Sequence, residues 1–187
     1  GGADGTNTAL LLCVGRCGAD ALRNRAACYA FRCGEGCARL LGANEVSLKG
    51  LKATFCCTPA DALGVPELFM ACREAGAPMP RVMGDEAAGT VAKAALRAAC
   101  PWASVDVAEG YADDHIRVRR DGCAFVVDVC DRTLVVSSGA YDADADVVLH
   151  APPEESDTQI IHKIVVDYAR EGAKRGFAKA NLLRNER

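Results

Sequence analysis

Apolar positions in this chain are first continuous, then helically spaced, then alternating. Ala9–Val14 (ALLLCV) is an unbroken apolar run of strand length and predicts a buried strand. Gly15–Gly18 turns the chain, and Asp20 stands where it caps a helix reaching about Leu41. Leu22, Ala26, Tyr29, Ala30, Cys33, Cys37, Leu40 and Leu41 keep helical spacing, with Arg23, Arg25, Arg32 and Arg39 off that face. Gly34 and Gly36 weaken this helix and Gly42 stops it. Glu45–Leu48 reads as a short strand, and Leu51–Cys57 as a second or its continuation. Thr58 and Pro59 then start a helix, and Pro66 divides it into two pieces, the second reaching Ala75. Asp85–Ala99 is a helix whose small face is Ala88, Val91, Ala92, Ala95, Leu96 and Ala99, with Pro101 just beyond it.

From about residue 105 the period changes to two. Val105–Ala108, His115–Arg119, Cys123–Cys130, Thr133–Ser137 and Asp146–His150 read as strands. Ile116 and Val118 alternate with Arg117 and Arg119, so one face is buried and the other wet. Asp121-Gly122 predicts a type I′ hairpin turn. The stripe Ile160, Ile161, Ile164, Val165 and Tyr168 predicts a long C-terminal helix from about Asp157. The expected fold is α+β: an antiparallel meander over about 105–150, packed against the 85–99 and C-terminal helices, with an N-terminal βαβ-like portion. One domain spans 1–187, and GAPMP marks a lobe boundary near 76–84.

Composition fits that picture. Half of the 187 residues are apolar and a quarter charged, enough for one ordinary core. Net charge is −3, the opposite of the balance usual on a phosphate backbone. No apolar run is long enough to span a bilayer, so no membrane insertion is expected. The chain begins at Gly1 and not Met, as a removed targeting segment or a trimmed end would equally leave. Eleven cysteines lie mostly inside apolar segments and read as reduced core residues. They imply a soluble protein of a reducing compartment, the cytoplasm or the mitochondrial matrix.

Several constellations invite chemistry. Cys13, Cys17, Cys33 and Cys37 form two CxxxC pairs with a zinc-like rhythm, although burial on a strand and a helix face explains them as well. Cys17, beside Arg16 and ahead of a helix start, is the best candidate for a thiol nucleophile; Cys56 and Cys57 also lie at a helix start. The histidines His115, His150 and His162 could serve as base. Gly15–Gly18 has the context of a phosphate-binding turn without its full glycine pattern. Asp142, Asp144 and Asp146 alternate as calcium ligands do, but the later EF-hand positions hold Val147 and Pro153. No cofactor is expected. From Ile160 onward there are seven Lys or Arg against three acids, whereas 140–159 holds six acids and no Lys or Arg. Arg117, Arg119, Lys174, Arg175, Lys179 and Arg184 are the candidate contacts for a protein partner or RNA.

The passage GANEVSLKGLKATFCCTPADALGVPEL resembles the second strand and second helix of Alba-like nucleic-acid-binding proteins. The resemblance covers at most a third of the chain, within residues 9–75, and implies nucleic-acid binding. The helix at 85–99 and the later strands lie outside that family's pattern. Three functions follow as expectations. The first is a non-catalytic structural or adaptor subunit of a larger intracellular or organellar protein or ribonucleoprotein assembly, with other protein subunits as partners. The second is an RNA-binding module, and the third a thiol-dependent or small-molecule enzyme.

Overall fold

A computed structural model describes residues 9–15, 27–43, 46–122, 124–129, 132–137, 147–149, 159–167 and 176–185, the last three segments by backbone alone. Strand β1 (Ala9–Gly15) is followed by β2 (Ala27–Phe31), helix α1 (Cys37–Ala43), β3 (Leu51–Phe55), α2 (Val65–Glu74), β4 (Arg81–Met83), α3 (Glu86–Ala99) and β5 (Val107–Ala108). Then come β6 (Tyr111–Ala112), β7 (Ile116–Asp121), β8 (Ala124–Val129), β9 (Arg132–Ser137), β10 (Val147–Leu149), β11 (Gln159–Asp167) and β12 (Gly176–Asn185). A seven-stranded mixed sheet has the order β12-β11-β1-β2-β3-β4-β5, and a five-stranded sheet the order β10-β9-β8-β7-β6. The fold is α+β, with the antiparallel ladder β6-β7-β8-β9 in the second sheet.

Side-chain parity sorts the layers. Leu10, Leu12, Val14, Tyr29, Phe31, Ala53 and Phe55 pack against Ile116, Val118, Phe125, Val127 and Leu134 of the second sheet. The alternate residues Leu11, Cys13, Cys28 and Ala30 pack against Leu41 of α1 and Leu68 and Cys72 of α2. Val82 and Cys56 meet Ala88, Ala92 and Leu96 of α3. The mixed sheet is therefore the middle layer, helices on one face and the second sheet on the other. Phe31 stacks on Phe55 with centroids 4.4 Å apart, and Phe125 meets Phe55 edge-on at 5.3 Å. Cys28 opposes Leu51 while Tyr29 opposes Ala53, so Lys52 is an extra residue that keeps both parities in phase.

Four expectations change. The helix expected from Asp20 to Leu41 is a strand at β2 and a helix only from Cys37; its start at 16–26 lies outside the described residues. All five residues of β2 are buried, and a segment buried on both faces has no polar alternation to separate strand from helix. The expected strand at 45–48 instead meets a 3-10 turn at Leu48–Gly50, with Glu45 not described. The expected C-terminal helix is replaced by β11 and β12, in keeping with the strand preference of Ile160, Ile161, Ile164, Val165 and Val166. The second sheet packs on the mixed sheet, not on helices.

Finer details also differ. β5 pairs parallel with β4 and belongs to the mixed sheet, and β10 pairs parallel with β9. Asp121 stays in the ladder opposite Ala124, so the turn opens at Gly122, φ 56°, one residue later than expected. The GAPMP segment connects α2 to β4, which pairs with β3. No helix among the described residues is long and apolar enough to cross a membrane.

Candidate functional site

Strands β2, β3, β4 and β5 run parallel, so their carboxyl ends lie together at one edge of the sheet. In open α/β sheets, ligands sit outside the carboxyl ends of the strands. Here the pairing continues past the strands: Arg32 N donates to Phe55 O at 2.8 Å, Cys56 N to Met83 O at 2.8 Å, and Gly84 N to Ala108 O at 2.9 Å. Three turns are thereby held side by side: Arg32-Cys33-Gly34, Cys56-Cys57-Thr58 and Gly84-Asp85.

Arg32 is the unusual residue of the first turn. It is the one described non-glycine residue with positive φ, at 57°, a region that costs an L-residue roughly 1–2 kcal/mol. Only 9% of it is exposed, and its Nε has no hydrogen-bond partner. In the second turn Thr58 and Asp61 cap each other: Thr58 N donates to Asp61 Oδ2 at 2.9 Å, and Asp61 N to Thr58 Oγ1 at 3.4 Å. Asp61 is fully buried, and its Oδ1 is left without a partner. In the third turn Asp85 caps α3 through Oδ1, which accepts from Ala88 N at 2.7 Å. Its Oδ2 accepts from Arg120 Nη2, also at 2.7 Å, across to the second sheet. Arg120 Nε donates to Gly122 O at 3.0 Å, and Phe125 lies under the guanidinium at 5.7 Å. Its Nη1 is buried and unpartnered.

These groups feel one another. Burial pushes the Asp61 carboxyl above its ordinary value, against hydrogen bonds from Thr58 and Cys57 and the attraction of Arg32. Burial likewise drives the Cys56 thiol far up, helped by Asp61, Cys57 and Asp85 and opposed by Arg120. Cys33 is raised first by its hydrogen bond with Cys37 and then by burial, with Cys56 and Asp61 adding to it. Both sulfurs stay protonated at neutral pH, which removes the thiolate that a nucleophile needs.

The carboxyl shift has a testable sign. Asp61 holds its proton more tightly when folded than unfolded, so its stabilising contribution is complete below 3.8 and lost as pH rises through its elevated value. Asp61→Asn is expected to flatten that limb. Urea midpoints followed from about pH 4 to 8 would show it, and an unchanged slope would refute the assignment.

The residues singled out in the sequence lie elsewhere or pair differently. Cys13 faces Cys28 across β1 and β2, with sulfurs 3.4 Å apart. Cys33 and Cys37 are buried in the same layer. Cys17 lies outside the described residues, as do Asp20, Asp142, Asp144, Asp146, Lys174, Arg175 and His150. Among the described residues no cluster of three or more side chains could hold a metal, and no cysteine is in a disulfide. Arg117 and Arg119 are exposed on β7, where Arg119 pairs with Asp128 at 3.3 Å. Lys179 and Arg184 stand in β12, opposite Val165 and Ile160 of β11. His162 stands in β11 opposite Leu10, and His115 offers its backbone N–H to Asp113.

Sequence reasoning missed Arg32, Asp61 and Arg120 as a group. One signal was present: Thr58-x-x-Asp61 directly after an apolar strand is a capping pair at a strand's carboxyl end. No protein-family model matches this chain, and no curated protein is significantly similar to it.

Proposed function

We propose that this chain is a non-catalytic binding subunit of a larger intracellular assembly, and that it holds a small polar ligand at the carboxyl ends of β2, β3 and β4. The observation that carries the reading is Asp61: a wholly buried carboxyl group with one oxygen unpartnered. Leaving such a group unsatisfied costs roughly 1–3 kcal/mol, a cost that a bound polar group would reduce. Binding is favoured over thiol catalysis because Cys33 and Cys56, the thiols within reach of Asp61, are held in the neutral form. The test is a titration of the isotope-labelled chain with small polar probes, followed through the amides of Gly34, Thr58 and Gly84. Saturable shifts confined to these turns support the reading, and flat titrations with every probe defeat it.

The assembly part of the proposal draws on the helical layer. Trp102 is 44% exposed with Arg73 stacked over it at 4.6 Å, and Met70, one turn earlier on α2, is 42% exposed. Trp, Arg and Met are the residue types enriched where proteins bind one another. A tagged pull-down from native extract, with and without RNase, is expected to retain stoichiometric protein partners through RNase treatment. Loss of all partners with RNase would favour the RNA module, with Arg117 on the exposed face of β7 as its first contact.

A further inference from the structure

We infer that the ligand of the carboxyl-end site is an oxyanion, a phosphate or carboxylate group, gripped by Arg32 and Arg120. The inference rests on the binding reading above and adds the chemical class.

Three observations lead to it. First, Arg32 is nine-tenths buried, and no carboxylate among the described residues lies within ion-pair distance of it. A buried guanidinium with no direct ion pair and an unpartnered Nε is disfavoured, and Asp61 acts on it only without contact, so the nitrogen is open to a bound acceptor. Second, Arg120 is fixed by Asp85, the Gly122 carbonyl and the Phe125 face, and this leaves Nη1 as its unpartnered donor. A guanidinium anchored at two of its nitrogens and open at the third is preorganised for a further acceptor. Third, the two arginines flank the same turn. Arg32 stands in the turn beside Cys56, with Arg32 N bonded to Phe55 O and Cys56 N to Met83 O, and Arg120 is bonded to Asp85 in the next turn along.

The charges agree. Arg32 and Arg120 bring two guanidinium groups to these turns, each with a buried nitrogen that lacks an acceptor, and burial pushes the Asp61 carboxyl toward its neutral form, which lessens its repulsion of an anion. The thiols of Cys33 and Cys56 add no charge. A cation would meet two guanidinium groups, and a purely apolar ligand would leave three polar atoms unmet.

The experiment uses the full labelled chain and three probes: inorganic phosphate, acetate, and acetamide, the uncharged isostere of acetate. Phosphate or acetate is expected to shift the amides of Gly34, Thr58 and Gly84 saturably, and acetamide much less. Response to phosphate alone assigns a phosphate-bearing ligand, and response to acetate alone a carboxylate. Arg32→Gln is expected to weaken that binding about tenfold or more, the worth of one charge-assisted hydrogen bond. Arg32→Lys, which keeps the charge but loses the fork, should fall between. Unchanged amides at Phe125 and Val127 report that each variant is folded. Shifts with acetamide but with neither anion would overturn the oxyanion and leave the binding site standing. Silence from all three probes would overturn both. Anion shifts that persist at full affinity in Arg32→Gln would overturn the role of Arg32.

Discussion

Gly64→Ala is expected to lower the melting temperature by roughly 6–12 °C, the effect of about 3 kcal/mol on a domain of this size. A Cβ at Gly64 would stand 2.2 Å from Gly34 O, 2.4 Å from Cys33 O and 2.5 Å from Gly34 C. All three atoms are backbone, so no rotamer change relieves the contact. The start of α2 or the turn after β2 must move instead. That turn is tied to α2 a second time, because Gly36 N donates to Glu67 Oε2 at 2.7 Å and Gly36 itself has φ 80°. Moving it displaces Arg32 relative to Asp61, so the oxyanion response is expected to weaken together with stability. Gly42→Ala is the control. Nothing lies within 4 Å of the added methyl, the site is exposed, and it sits in α1. Helix propensity then favours alanine by up to about 1 kcal/mol. Thermal unfolding of the two variants side by side separates the cases, and a Gly64→Ala protein melting with the wild type would mean that the two turns do not meet.

Gly64 also shows where sequence reasoning stops. A glycine between Leu63 and Val65 carries no local sign that it lies against the carbonyl of residue 34. Elements with local signatures were legible. Ala9–Val14 is a strand, a helix runs to Ala99 from Glu86, Pro66 divides the 58–75 segment, and Ile116–Val118 alternates against Arg117 and Arg119. Elements defined by distant partners were not. β11 pairs with β1 from about 150 residues away, and nothing near Ile160 distinguishes a helical stripe from a β-branched strand except that partner. β2 is buried on both faces, so Tyr29 and Ala30 served a helical spacing equally well. The site suffers most from this. Its groups come from three turns and from a hairpin of the other sheet, with Arg120 reaching Asp85 across 35 residues of sequence. Arg32 resembled any of the arginines spaced along an expected helix face, and only the turn after β2 reveals it as buried.

Arg32→Gly is expected to stabilise the protein while abolishing the oxyanion response. Glycine adopts φ 57° without the roughly 1–2 kcal/mol that arginine bears there. The substitution also removes a buried guanidinium that has no ion-pair partner among the described residues. Against these gains stand the extra chain entropy of glycine, about 0.5–1 kcal/mol, and lost packing of the arginine stem. A net gain of about 1 kcal/mol, some 2–4 °C in melting temperature, is the expected balance in ligand-free buffer. Arg32→Met separates the contributions, since it keeps the strained φ and most of the stem but not the charge. If both variants melt higher than the wild type and phosphate or acetate raises the wild type alone, the strain and the buried charge at Arg32 are held in the fold for binding. If Arg32→Gly melts lower, the guanidinium is contributing to the unliganded fold, and the residue is structural. An anion that closes the gap between wild type and variant would measure, through the size of the shift, how much stability this position gives up in order to bind.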